Sequence, residues 1–246
     1  MKWLVLLILL SINSYMYAPP AATITINMET LVEIRIKEDA RLLKLKELKI
    51  LRAADSAAFA ILDTYKRKKS DIQHAAFKAK VKTVADSLNV HFSWLVAVMY
   101  HESRLNHKAL NSIRAVGLIQ FLPGTARGLG TSTNALYNMS GTRQLDYVHK
   151  FYRHAKGKFK QASDLHLYAF FPIAVLNNWG DHRVIKYGKL SAKTIARHNP
   201  GLDRNKDGKI TVREFRYVVT KRYPSKVYKA PAQVEIQRAT PNFAGR

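Results

Sequence analysis

Apolar residues follow several patterns along this chain. Behind Met1-Lys2, Trp3 to Leu10 is an unbroken apolar run, continuing in mixed form to Ala18. One positive charge ahead of a short hydrophobic segment has the form of an export signal. The cleavage sequence is poor, with Met16 and Pro19-Pro20 at positions a signal peptidase reads. The run also falls short of the ~20 residues that span a bilayer. Residues 1–22 are therefore expected to be either a removed signal or a retained membrane anchor, which places the protein in the cell envelope or on a membrane. Pro19-Pro20-Ala21-Ala22 reads as a short linker.

Between about Asn27 and Lys69 there is no Gly or Pro, and Leu31, Ile34, Leu42, Leu45, Leu48, Leu51, Phe59 and Leu62 recur mainly at three- and four-residue steps. That periodicity predicts one or two amphipathic helices within a region 23–75. The stretch 76–223 mixes helical patterns with Gly/Pro/Asn turns and shows no sustained alternation, which predicts a mainly α-helical domain. The end, 224–246, carries Pro224, Pro231 and Pro241 among basic residues and reads as a loosely ordered tail. No internal repeat is visible.

Composition narrows the chemistry. With no cysteine, the 246 residues cannot form a disulfide scaffold, a thiolate metal site or a cysteine nucleophile. Lys and Arg total 41 against 17 Asp and Glu, a net charge of +24 that points to an anionic partner. The basic residues are spread through every segment and form no known DNA-reading motif, so no specific nucleic acid is expected.

The scarcity of acids makes Glu102 stand out as the one glutamate between Glu47 and Glu214. On a helix it shares a face with Trp94 and Val98, beside Leu95. A carboxyl group held against apolar surface is expected to have a raised pKa and to stay protonated near neutrality, as a general acid requires. The blander reading is a helix-end glutamate reaching water or Arg104. His101 is expected to point to a different face.

Downstream motifs favour the first reading. His101-Glu102-Ser103-Arg104-Leu105-Asn106 is followed by Ala115-Val116-Gly117-Leu118-Ile119-Gln120-Phe121-Leu122-Pro123-Gly124-Thr125-Ala126. A Glu-Ser pair closing a helix, then Gly-Leu-Ile-Gln, then Pro-x-Thr-Ala, resembles the signature of the lytic transglycosylases of the lysozyme-like superfamily. Gln144-Leu145-Asp146-Tyr147-Val148, Asp164 to Pro172, and Asn199-Pro200-Gly201-Leu202-Asp203 look like the phage and prophage branch, and the resemblance spans about residues 76–220.

That resemblance implies a mainly α, lysozyme-like (goose-type or SLT) helical domain acting on peptidoglycan glycan strands. Glu102 would protonate the oxygen joining N-acetylmuramic acid to N-acetylglucosamine. It would then take the proton of the muramyl 6-hydroxyl, which closes a 1,6-anhydro ring. The resemblance also implies Ser103, Gly117, Gln120 and Tyr168 as groove residues. Physically, Gly117 allows a sugar to approach backbone, and Gln120 can either bond sugar hydroxyls or tie its own loop. Tyr168 could steady Glu102 or belong to the core with Phe170 and Phe171. A hydrolase normally uses two carboxylates; Asp86, Asp146, Asp164 and Asp181 are the candidates for a second, and none sits in a recognised catalytic motif. The alternatives are a lysozyme-type hydrolase, or a non-catalytic basic virion protein binding cell wall or nucleic acid.

Asp203-Arg204-Asn205-Lys206-Asp207-Gly208-Lys209-Ile210-Thr211-Val212-Arg213-Glu214 fits a twelve-residue EF-hand loop. Asp203, Asn205, Asp207, Thr211 and Glu214 offer side-chain oxygens, Lys209 its carbonyl, and Gly208 the sharp turn. Hard oxygen donors suit Ca²⁺, and a single loop suits a structural clamp. The fold expected is thus one helical domain with an EF-hand-like loop, preceded by a hydrophobic segment and an amphipathic helix.

Overall fold

The computed structural model describes residues 28–66, 71–188, 190–223 and 226–230. The expected signal or anchor, its linker and most of the basic tail lie outside the described residues. Two compact units divide the chain, residues 1–43 and 44–246. No helix among the described residues is long and apolar enough to cross a membrane.

The first long helix, α1 (Met28–Lys66), realises the predicted periodicity as one uninterrupted element. In the first unit its Leu31, Ile34 and Leu42 remain exposed. In the second, the same stripe continues as Ala54, Ala58, Leu62 and Tyr65, all buried. Spacing alone therefore does not say which turns of an amphipathic helix find a core.

The remainder of the second unit is built around α3 (Phe92–Ser103). Its residues from Phe92 to Met99 are all buried, so it is a central helix rather than a half-exposed one. Its start is fixed by the His91 side chain, which accepts from the Ser93 N–H. Its end is set by Arg104, which turns left-handed (φ 52), while the Leu105 N–H reaches back to the Met99 carbonyl. Around it pack α2 (Asp71–Leu88), α7 (Ala162–Phe170) and the 3-10 turn Val227–Lys229. That turn is tied down by Ser93 Oγ donating to the Val227 carbonyl and Trp94 Nε1 donating to the Ala230 carbonyl. The tail expected from 224 thus begins with packed residues, Val227 and Ala230 being buried.

Short helices α4 (Pro123–Gly128) and α5 (Thr133–Asn138) lead to α6 (Gly141–Tyr152), which packs on α2. After α7 come α8 (Pro172–Leu176), α9 (Ala192–His198) and α10 (Val212–Arg222), the last also packed on α7. No strand occurs among the described residues; isolated bridges close the loops instead. A partly buried ion cluster holds α10 in place. Arg216 forks between Asp164, itself buried, and Asp181.

Candidate functional site

Helix α3 delivers Glu102 to the wall of a pocket of about 360 Å³, lined also by His101, His166, Phe170, Leu202 and Arg222. Its carboxylate faces two imidazoles. His166 Nε2 lies 2.6 Å from Glu102 Oε1, and His101 Nδ1 lies 3.6 Å from the same oxygen. The two rings also meet each other, Nδ1 of His101 to Nε2 of His166 at 3.1 Å. His166 comes from α7 and is buried; its other nitrogen bonds the Tyr223 hydroxyl.

These contacts overturn the expected pKa. Burial does raise the Glu102 carboxyl, but the hydrogen bonds from His101 and His166 and their charges more than offset it and bring the group down to about 2. Burial meanwhile holds His166 below the ordinary histidine range. The free site therefore contains a carboxylate at neutral pH. His101, expected on another face, lines the same pocket as Glu102, with its Nδ1 3.6 Å from the carboxylate.

Ser103 and the Gly117 loop form the scaffold behind this carboxylate. Ser103 Oγ donates to the carbonyls of Met99 and Leu118, both at 3.0 Å, which pins the helix end to the loop. Gly117 is left-handed (φ +82), and a Cβ there would meet Gln144 Oε1 at 2.4 Å. The left-handed backbone and the Gln144 side chain together call for glycine at this position. Gln144 is fully buried and accepts from the Leu118 N–H at 3.0 Å, while its amide donates to the carbonyls of His107 and Leu136 at 2.6 and 2.7 Å. Gln120 adopts a left-handed backbone, and its amide donates to Ala109 and Gly117 carbonyls, so this side chain ties its own loop.

Tyr168 lies in an aromatic cluster with Phe151, Tyr152 and Phe159, its centroid 5.4, 5.9 and 6.0 Å from theirs. Tyr223 reaches the pocket through its hydroxyl contact with His166. Among the four aspartates considered as a second carboxylate, Asp146 pairs with Lys80, while Asp164 and Asp181 share Arg216. No aspartate lines the Glu102 pocket, and Glu102 is its one carboxylate among the described residues.

A second cluster of donors occupies the loop 203–214. Gly208 takes a positive φ (+78), as a sharp turn requires. Asp203 Oδ2 accepts from the Gly208 N–H, Asn205 Oδ1 from Asp207 and Asp207 Oδ1 from Lys209, so the three side chains fold inward over the loop. Asp203 Oδ1 is buried with no hydrogen-bond partner. Glu214 closes the far end: Thr211 and Glu214 form a capping box at the start of α10. Although partial burial would raise its carboxyl, bonds from Thr211, Asn205 and Arg204 hold it below the ordinary range. Ile210 is buried, and its carbonyl accepts from the Ile185 N–H while Val184 bridges to Thr211. The segment 183–185 therefore supports the loop's backbone, where a second loop would do so in a paired arrangement.

Residues 81–150 match the family model described as the transglycosylase SLT domain. The match runs from Val81 in α2 to Lys150 in α6 and contains Glu102, Ser103, Gly117, Gln120 and Gln144. The match indicates a lytic transglycosylase domain acting on peptidoglycan, and the helical architecture fits the lysozyme-like fold.

Proposed function

We propose that Glu102 is the acid and then the base of a reaction that cleaves the bond between N-acetylmuramic acid and N-acetylglucosamine and leaves a 1,6-anhydromuramyl end. The supporting observation is that one carboxylate, and no second, lines the pocket at the end of α3 among the described residues. A retaining or inverting hydrolase would place a partner carboxylate within about 5–10 Å. With one group, the proton given to the leaving oxygen must be recovered by the same oxygen atoms. The muramyl 6-hydroxyl is the nucleophile that allows this, because it loses its own proton to Glu102 as the ring closes. A further cavity of about 590 Å³ borders Ser103 and Tyr65, which suits an extended sugar strand crossing the helix end.

The resting carboxylate must first gain a proton. A sugar entering the pocket removes water from Glu102 and competes for its hydrogen bonds, both of which raise its pKa. His166 Nε2–H is placed to hold the carboxylate until then and to steady it again after the leaving group has been protonated. In the free protein, carbon NMR of the Glu102 carboxyl is expected to report a titration near 2, well below the ordinary carboxylate range. His101→Ala with His166→Phe removes the offsetting bonds and leaves burial, so the titration moves above the ordinary 4.5. By linkage, Glu102 contributes stability that is present above about 4.5 and is lost as pH falls toward 2. A free-protein value above 4.5 would contradict this electrostatic account.

We also propose that the 203–214 loop holds Ca²⁺ through Asp203, Asn205, Asp207, the Lys209 carbonyl, Thr211 and Glu214. The unpartnered, buried Asp203 Oδ1 supports this, since a buried carboxylate oxygen lacking a donor suits a cation. Ca²⁺ there would offset the repulsion among three carboxylates. The chain's own part is mechanical: α10 leaves the loop and carries Val219 and Arg222 to the pocket wall, with Tyr223 following on His166. Calcium at about 100 times its Kd is expected to add ~2.7 kcal/mol of stability, or roughly 5–10 °C in Tm. Asp203→Asn combined with Glu214→Gln should abolish the calcium-dependent shift in a thermal melt, and an equal shift in that variant would remove the loop from the role.

The wider setting follows from the sequence segments that resemble the phage and prophage branch: wall degradation linked to a phage or prophage, by a protein exported or anchored through residues 1–22.

A further inference from the structure

Three donor atoms on different side chains converge beside the pocket: His101 Nδ1, Glu102 Oε1 and His166 Nε2, separated by 2.6, 3.1 and 3.6 Å. Around a tetrahedral Zn²⁺ with bonds of about 2.0–2.2 Å, donors stand roughly 3.3 Å apart. Two of the three separations lie within about 0.3 Å of that spacing, and the third, 2.6 Å between His166 Nε2 and Glu102 Oε1, would open by about 0.7 Å. His166 Nε2 faces two acceptor-capable atoms at once, the Glu102 oxygen and the His101 nitrogen. It has one lone pair or one proton to offer, so it cannot bond both in full. A cation between the three atoms would satisfy all of them.

The surroundings complete a metal site of the catalytic-pocket type. The second nitrogen of His166 bonds the Tyr223 hydroxyl, and such outer contacts orient a ligating imidazole and fix its tautomer. The His101 and Glu102 side chains keep about a quarter of their surface exposed (24 and 26%), so an ion can enter from the pocket and retain a solvent ligand there. Two imidazoles and a carboxylate favour borderline transition ions over Ca²⁺ and Mg²⁺. The loop 203–214, with oxygen donors alone, has the opposite preference. Arg222 on the pocket wall and the net charge of +24 oppose a cation. At physiological ionic strength, charge beyond about 8 Å is largely screened, so Arg222 is the main cost and lowers the affinity without removing the ligand set.

We propose that His101, Glu102 and His166 bind a divalent transition ion such as Zn²⁺, and that the bound ion reversibly blocks the enzyme by occupying the oxygen that must carry the acid's proton. The blocking half rests on Glu102 being the acid; the binding half does not. No bond is made or broken in the protein: the ion replaces whatever proton bridges the three atoms and releases it to solvent.

The test uses the full chain at neutral pH with Ca²⁺ in excess to fill the oxygen loop. Zn²⁺ is titrated by calorimetry and Co²⁺ by visible absorption, which reports four-coordinate nitrogen and oxygen ligation. One ion per chain is expected beyond calcium, with affinity reduced about tenfold or more in His101→Gln and in Glu102→Gln. His101 is partly exposed and Gln is close in shape to Glu, so both variants should fold, as circular dichroism checks. Muropeptide release should fall in step with Zn²⁺ occupancy and return when a zinc-selective chelator is added. No binding at millimolar Zn²⁺, or binding unchanged in both variants, overturns the site. Binding without loss of turnover overturns the block. If Glu102→Gln is inactive while Zn²⁺ fails to bind, the inference alone fails and the role of Glu102 stands.

Discussion

Glu102→Gln lowers peptidoglycan turnover by about 10²- to 10⁴-fold or more while the protein stays folded. The amide is close in shape and volume to the acid, and its oxygen can still accept from His166 Nε2, so the pocket wall is retained. What it cannot do is lose a proton to the glycosidic oxygen and take one back from a hydroxyl. Because no other carboxylate lines the pocket among the described residues, no neighbour can substitute. The loss should appear in the rate at saturating substrate rather than in binding, since the hydrogen-bonding surface offered to the sugar changes little. Soluble muropeptide release from purified cell wall, with a thermal melt of the same sample, gives both halves of the result. Turnover near the wild-type rate would remove Glu102 from the reaction.

Gln144→Leu is expected to be the most damaging substitution away from the carboxylate. Leucine nearly fills the volume, so the effect isolates hydrogen bonding. Three buried bonds vanish at once: to the Leu118 N–H and to the His107 and Leu136 carbonyls. A buried polar group that loses its partner costs ~1–3 kcal/mol, so the three together cost roughly 3–9 kcal/mol and lower Tm by about 6 °C or more. The position matters for function as well as stability. Gln144 fixes the loop that begins at Gly117, and Ser103 ties that loop to the end of α3. Turnover should therefore fall even at temperatures where the variant is folded. A Tm within a degree or two of wild type would show that the loop is held by something else.

The sequence carried local information well and tertiary information poorly. The spacing of Leu31, Ile34, Leu42, Leu51 and Leu62 announces α1, because helical periodicity is a property of a few neighbouring residues. The turn within the loop from Asp203 to Glu214 is legible for the same reason: the inward-bonded Asp203, Asn205 and Asp207 side chains and the turn residue Gly208 all lie within twelve residues. The Glu-Ser and Gly-Leu-Ile-Gln elements lie within the segment that matches the transglycosylase SLT domain.

What escaped were contacts made across the fold. His166 reaches Glu102 from 64 residues away, and this contact reverses the sign of the expected pKa shift. Desolvation acts as expected, raising the carboxyl, but the imidazoles outweigh it. Nothing in the neighbourhood of Gly117 in sequence announces that its missing side chain makes room for Gln144, 27 positions later. Tyr168 could not be told from core by its neighbours in sequence, and it packs among Phe151, Tyr152 and Phe159. A buried, uncharged polar residue such as Gln144 on the apolar face of α6 is the one signal that was available, beside Leu145 and Val148.

The central claim is that a single carboxyl both gives and recovers the proton, so that the substrate's own hydroxyl, and not water, attacks. Digestion of purified peptidoglycan in water enriched in the heavy oxygen isotope, followed by mass spectrometry of the released muropeptides, tests this directly. The account predicts muramyl ends one water lighter than reducing ends, carrying no isotope. Reducing muramyl ends that have taken up the isotope would contradict it.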